Sequence, residues 1–252
     1  MAPTVTPSAK WIAQRTRQNA KGILRRRMAQ LKAWRRFWDS YRRYSELPDS
    51  NASLEFLYPC LGDDTGTTPV EPTYFFQDAW AFEKIVAAHP ERHIDVGSHH
   101  RFVSFLSKVV PTTMVDLRPL QAHMESIGFV EGSILALPFA DASLPSVSSI
   151  CVVEHIGLGR YGDPLDPHGT EKALEELKRV VAPGGDLYVS LPVDDVDREY
   201  FNAHRVFTEE TLLRMFAPFE IVESRYIYGY DFVAERRPGG GVGCYHLRRP
   251  AD

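Results

Sequence analysis

Cysteine is scarce in this chain: Cys60, Cys151 and Cys244 stand far apart, are odd in number and form no CxxC pair. That argues against a disulfide framework and a structural zinc site, and it suits a reducing cytoplasm. Long apolar runs are also missing. Nowhere do about eighteen apolar residues follow one another, so no membrane-spanning helix is expected. The N-terminus lacks the uninterrupted apolar core of a signal peptide. The sequence has no internal repeat and no low-complexity segment. Acid is nearly absent from residues 10–43, which hold twelve Lys or Arg against one acid, Asp39, a local charge of +11. The net charge of −4 therefore leaves −15 on the remainder, a split that assigns the two parts different partners.

What is present is ordinary for a globular protein: 252 residues, 44% hydrophobic and 25% charged, enough for one sizeable α/β domain and an extension. Residues 1–9 read as a disordered tail. From Lys10 to about Tyr44 there is no proline and one glycine, and Leu24, Met28, Leu31, Trp34, Trp38 and Tyr41 recur in steps of three and four. These describe one stripe of a helix set among arginines. Three partners fit such a helix: a packing surface on a domain or partner protein, an anionic membrane surface, or nucleic acid. The Trp-rich stripe counts against a purely electrostatic nucleic-acid arm. On this reading the chain divides into a basic amphipathic helix (1–46), a linker and leading helix (47–89), and a main domain (90–252).

After His93 strands and helices alternate. HIDVG (93–97), TTMVD (112–116), FVEGSI (129–134), SVSSICVV (146–153) and DLYVSLP (186–192) read as strands. Helices are expected over 75–89, 101–110, near 119–126, over 170–181 and over 208–216, the last with Thr208 as N-cap. Two further strands near 219–227 and 242–248 close the chain. The alternation predicts a doubly wound, mostly parallel sheet with helices on both faces. The apolar run at 147–153 ends in Glu154-His155 and a glycine-punctuated loop with Arg160, Tyr161, Asp163 and Asp166. Open α/β sheets bind ligands at the carboxyl ends of their strands, so this loop is the candidate site.

The order HIDVG, VDLRP, ILALPFADASLPSV, VVEHIGLGRYGDPLDP and ALEELKRVVAPGGDLYVSLPV resembles class I S-adenosylmethionine-dependent methyltransferases. Within them it looks closest to a bacterial group, catalogued mainly as a domain of unknown function, with EHxGLGRYGDPxD and FNAHRVF signatures; here these are Glu154 to Asp166 and Phe201 to Phe207. The chain departs from the wider family where the glycine-rich turn is reduced to Gly97-Ser98-His99-His100. Ser133 and Pro145 stand where acids are common.

The resemblance implies a Rossmann-like fold, S-adenosylmethionine as cofactor, and cofactor contacts at Asp95, Gly97, Ser98, Asp116, Ser133 and Ile134. Asp116 would accept the ribose hydroxyls; Asp95 would either help hold the methionine ammonium or bond to loop amides. Glu154, His155 and His204 become the catalytic candidates, either His serving as base or as an orienting partner. Arg160, Tyr161, Asp163, Asn202 and Arg205 become candidate contacts to a small-molecule or glycan acceptor. Arg160 has an alternative role, pairing with Asp163 or Asp166 to hold the loop. A divalent metal on Asp163, Asp166, His168 and His204 is an alternative whose spacing matches no recognised ligand motif. The expected activity is O-methylation of a sugar or related small polar acceptor, in surface-polysaccharide assembly and at the inner membrane face of the cytoplasm. A fold-retaining scaffold without catalysis is the first rival, and a nucleic-acid methyltransferase the second.

Overall fold

The structure, a computed structural model, describes residues 8–251. The tail expected over 1–9 therefore lies, up to residue 7, outside the described residues. The chain divides into two compact units, Met1–Pro69 and Val70–Asp252. The first holds one long helix, α1 (Ala9–Ser45), followed by an irregular segment with a single 3-10 turn at Leu54–Phe56.

The second unit opens with α2 (Pro72–Ala88), which starts where Glu71 accepts a hydrogen bond from the Tyr74 N–H at 2.7 Å and Pro72 fills the first turn. β1 (His93–Val96), α3 (His100–Leu106), β2 (Thr112–Asp116), β3 (Ile127–Glu131) and β4 (Leu144–Ile150) follow. Then come α4 (Gly169–Val180), β5 (Val181–Val193), the short β6 (Arg198–Tyr200) and β7 (His204–Val206), and α5 (Glu209–Phe216). β8 (Glu220–Tyr228), β9 (Asp231–Val233) and β10 (Gly241–Arg248) complete the order. Eight strands form one sheet ordered β3-β2-β1-β4-β5-β10-β8-β9, and β6 and β7 make a separate antiparallel pair. The first five strands run parallel, while β10 is antiparallel to both β5 and β8. This is the doubly wound sheet that the strand–helix alternation predicts.

Both faces of the sheet are covered, so its central strands are buried on both sides, and the polar residues of β1 and β4, His93, Asp95, Ser146 and Ser148, are hydrogen-bonded to one another. On one face α4 and α5 bring Leu174, Leu177, Leu212 and Phe216 against Val147, Leu187, Val189 and Leu191. On the other, Trp80 and Ile85 of α2 and Phe102 and Leu106 of α3 pack with Met114, Ile150 and Tyr188. Each fully buried Leu or Ile here contributes about 1.5–3 kcal/mol relative to exposure. The leading helix set apart within 47–89 is thus part of the domain core.

One expected element is missing. Residues 119–126 are irregular, so no helix joins β2 to β3. Ten residues must carry the chain back along two five-residue strands. A crossover between parallel strands that includes a helix takes a dozen or more residues, and ten leave no room for a helix with a turn at each end. An open connection is what fits.

Candidate functional site

The strand order reverses between β1 and β4, and polar residues gather at the carboxyl ends of these two strands. At the end of β1, Gly97 takes φ +74°, which glycine tolerates best. Its N–H donates to the Val115 carbonyl at 2.9 Å, and a Cβ there would stand 3.0 Å from Val152 Cγ1. Asp95, fully buried, accepts hydrogen bonds from the Ser148 hydroxyl (2.6 Å) and the Ser98 N–H (3.1 Å). Burial raises its pKa to about 6. The Ser98 hydroxyl in turn accepts from the Ile150 N–H at 2.9 Å. Of the two readings of Asp95, the structure thus gives the bond to a loop amide; the residue ties the turn to β4 and does not line the cavity.

At the end of β2, Asp116 Oδ1 accepts the Arg118 N–H at 2.9 Å, with the Arg118 guanidinium 3.5 Å away. Asp116, Gly97, Gly132, Ile134, Val152 and His155 line a cavity of about 100 Å³. Ser133 does not line it: its hydroxyl turns back to accept the Leu135 N–H. This cavity shares Gly97, Asp116, Arg118, Cys151 and Tyr161 with a cleft of about 720 Å³, also walled by Met114, Ile150, His99 and His123. The irregular 117–126 segment forms one wall of that cleft. Such a volume falls within the ~300–1,000 Å³ range of small-molecule sites.

Beyond β4, Cys151 adopts φ +52°, an uncommon conformation for a residue with a side chain. Its thiol donates to Gln77 Oε1 at 3.0 Å, and the Ser190 hydroxyl donates to the same oxygen at 2.9 Å. Val153–His155 then form a 3-10 turn. Glu154 is 2% exposed, its Oε2 has no partner, and burial raises its pKa to about 8. The carboxyl is therefore kept neutral, and it does not line the cavity.

His155 does line the cavity. Its Nδ1–H donates to the Ala203 carbonyl at 2.5 Å, which leaves Nε2 with the free lone pair, 3.6 Å from Glu154 Oε1. Burial lowers its pKa to about 4, so the ring is neutral across the physiological range. The His204 ring lies 6.5 Å from it and faces a separate cleft of about 460 Å³ beside Tyr200 and Asp194. Burial depresses its pKa as well.

The acceptor candidates divide. Tyr161 is 41% exposed at the cavity mouth, its ring flanked by the guanidinium groups of Arg118 (4.9 Å) and Arg160 (5.1 Å). Arg160 pairs with neither Asp163 nor Asp166; it donates to the Ala203 carbonyl at 3.2 Å. Arg205 is buried and fully committed. It donates to Glu199 (2.9 Å), the Ile156 carbonyl (2.6 Å), Thr170 Oγ1 (3.2 Å) and the Asp166 carbonyl (2.9 Å), a clamp that holds the loop to α4 rather than a ligand contact. Asn202, at φ +62°, turns the chain between β6 and β7. Asp163 borders the cavity but spends its carboxylate on the Gly157 and Tyr161 N–H groups. Asp166 is held by Lys172 and by the His168 N–H. Among the described residues no group of three or more His, Cys, Asp or Glu is placed to hold a metal ion.

Arg118, Gly132, Val152 and Tyr74 also border these spaces and are not among the residues expected from the sequence. Arg118 follows a strand-ending acid by two residues, and that proximity is a readable signal; Tyr74 enters from a distant helix.

Comparison with known proteins bears on the fold. Residues 117–232 match the family model DUF268, described as a Caenorhabditis protein of unknown function, rather than a bacterial group; both signature segments lie inside the match. A sequence search of curated proteins finds no match. Among solved structures, the N-methyltransferase NodS from Bradyrhizobium japonicum WM9, in complex with S-adenosyl-L-homocysteine, superposes at TM-score 0.53 and 15% identity over 84% of this chain and 97% of its own. The 1,6-didemethyltoxoflavin-N1-methyltransferase of Burkholderia thailandensis, with bound 1,6-didemethyltoxoflavin and S-adenosylhomocysteine, gives 0.51 and 18% over 70% and 80%. The [4+2]-cyclase SpnF gives 0.51 and 15% over 69% and 82%. The residues at the β1–β4 end suit an adenosyl cofactor: a carboxylate closing β2, an apolar wall at Ile134 and Val152, and bare backbone at Gly97. These likenesses show that the second unit has the Rossmann-like fold of the methyltransferases.

Proposed function

We propose that the chain is an S-adenosylmethionine-dependent O-methyltransferase for a sugar or a similarly small polar acceptor. The reading is carried by one observation: a neutral His155, its tautomer fixed by the Ala203 carbonyl, opens into the same cavity as Asp116 and Gly97. Asp116 would accept the ribose hydroxyls, Ile134 and Val152 would wall the adenine, and the Gly97 backbone would border the methionine part. When bound, the cofactor supplies an electrophilic methyl group on a sulfonium. His155 Nε2 would take the proton of an acceptor hydroxyl, and the hydrogen bond from Nδ1–H to Ala203 O supports the charge that develops on the ring. Tyr161 and its flanking arginines would present a stacking face and positive charge to the acceptor. Surface-polysaccharide assembly is the setting we propose for such an acceptor.

Calorimetric titration with S-adenosylmethionine and its demethylated product tests the first half. Micromolar binding is expected, and Asp116→Ala should weaken it about 10- to 100-fold, as loss of a charge-assisted hydrogen bond does. Unchanged affinity in that variant would displace the ribose from Asp116. A second reading, a fold retained without methyl transfer, draws support from the Gly97-Ser98-His99-His100 turn. There the Ser98 hydroxyl is engaged internally, and the His99 side chain accepts the Arg101 N–H at 3.4 Å. A cyclase with this fold makes the same point, since fold does not dictate reaction. A folded protein that binds neither nucleoside would decide for this second reading.

A further inference from the structure

Helix α1 carries an apolar stripe set among basic residues. Leu24, Met28, Leu31, Trp34 and Trp38 follow one another at three- and four-residue steps and share one side. Its aromatic rings form a run: Trp34 stacks on Trp38 at 6.4 Å and meets Phe37 edge-on at 5.7 Å, and Trp38 meets Tyr41 at 5.9 Å. Leu24 is 62% exposed and Leu31 69%. Arg25, Arg26, Arg36 and Arg43 lie away from this stripe, Lys21 and Lys32 flank it, and Arg27, Arg35 and Arg42 interrupt it. Arg36 pairs with Asp64 and Arg42 with Asp39, whereas Lys21, Arg25, Arg26, Arg27, Lys32 and Arg35 have no ion-pair partner among the described residues. No helix of the described residues is long and apolar enough to cross a membrane.

We propose that α1 lies flat on an anionic lipid surface, its Leu and Trp side chains entering the headgroup boundary and its arginines facing lipid phosphates. An apolar stripe, open at Leu24, Met28 and Leu31 and half-buried at Trp34, on a helix with unpaired positive charge is the pattern of interfacial helices. Tryptophan suits that depth because its body is apolar and its N–H polar. Charge complementarity selects this occupant. A second copy of α1 would set arginine against arginine, and nucleic acid would leave the leucines and tryptophans in water.

The test uses the full chain with sedimenting vesicles of phosphatidylcholine alone, or of phosphatidylglycerol and phosphatidylcholine mixed. The chain should pellet with the mixed vesicles and stay in solution with the neutral ones. The triple variant Arg25→Glu, Arg26→Glu, Arg27→Glu should bind the mixed vesicles at least about 100-fold more weakly, since each basic residue lost near such a surface is worth about 1 kcal/mol and each glutamate adds repulsion. Leu24→Gln with Leu31→Gln should retain attachment at low salt and lose it at high salt, where screened charge no longer suffices alone. Circular dichroism melting checks that both variants keep the folded second unit. The proposal is overturned if the chain pellets with neither vesicle, or pellets equally with both. It is also overturned if it ignores vesicles while forming an α1-dependent dimer or binding duplex DNA with a steep salt dependence.

Discussion

At the scale of single residues, the site turns on which polar atoms are free and which are spent. His155 spends Nδ1–H on Ala203 and keeps Nε2, whereas Asp95 and Ser98 spend their side chains tying the turn to β4. His155→Asn should therefore slow methyl transfer by about 10²- to 10⁴-fold, the usual worth of a positioned base. Cofactor affinity measured by calorimetry should stay near the parent's. Equal turnover in the variant would remove His155 from the chemistry. The corresponding His204 variant should act more weakly, because that ring faces the neighbouring cleft. The sequence could present Asp95, Asp163 and Arg205 as candidates by residue type and position. It could not reveal that their partners use them up, since those partners include Ser148 and Ile156, distant along the chain.

At the scale of elements, the loop from Gly157 to Asp166 is built as one piece. Gly157 is at φ +85°, and a Cβ there would come within 2.1 Å of the Asp166 carbonyl. Asp163 ties the start of this loop together, and Arg205 from β7 fastens both ends to α4. Arg205→Met leaves the buried Ile156 carbonyl unpaired and takes one of two donors from the Asp166 carbonyl, which keeps the Gly169 N–H; it should cost about 2–4 kcal/mol of stability, read as a lowered denaturation midpoint. If stability holds, the clamp is ornamental. The regular elements were legible because their patterns are local: short runs with Val, Ile, Leu or Thr at β1, β2 and β4, the amphipathic α4, and Thr208 accepting the Thr211 N–H at the start of α5. The β6–β7 pair was not, since three-residue strands are too short to show a period. The helix expected at 119–126 failed for a geometric reason, room, that composition does not express.

At the scale of the whole molecule, burial sets acids and imidazoles pulling in opposite directions with pH. Burial lowers the pKa of His93 to about 3, its ring bonded to the Ser146 and Ser148 hydroxyls. On acidification the unfolded chain takes up protons before the native one, so this contribution is complete above about pH 6.5 and is lost as pH falls toward 3. Glu154 acts the other way. Its native pKa of about 8 exceeds the ordinary 4.5, so the unfolded chain ionises first and stability declines as pH rises between those values. Glu154→Gln mimics the neutral acid. Its stability relative to the parent should rise between pH 4.5 and 8, by on the order of a few kcal/mol. A pH-independent difference in chemical denaturation would show that Glu154 ionises freely.

The helix-free connection between β2 and β3 has a kinetic consequence. β3 is one of the sheet's two edge strands, partly exposed along its length, and the segment that precedes it is open. Amide protons there should exchange with deuterium fastest among the parallel strands, and those of the central β4 and β5 slowest. Asp116 and Gly132 stand on the quick side of that gradient and His155 beyond a slow strand. Occupancy of the cavity should therefore appear first as slowed exchange at the β2–β3 edge, with little change in β5.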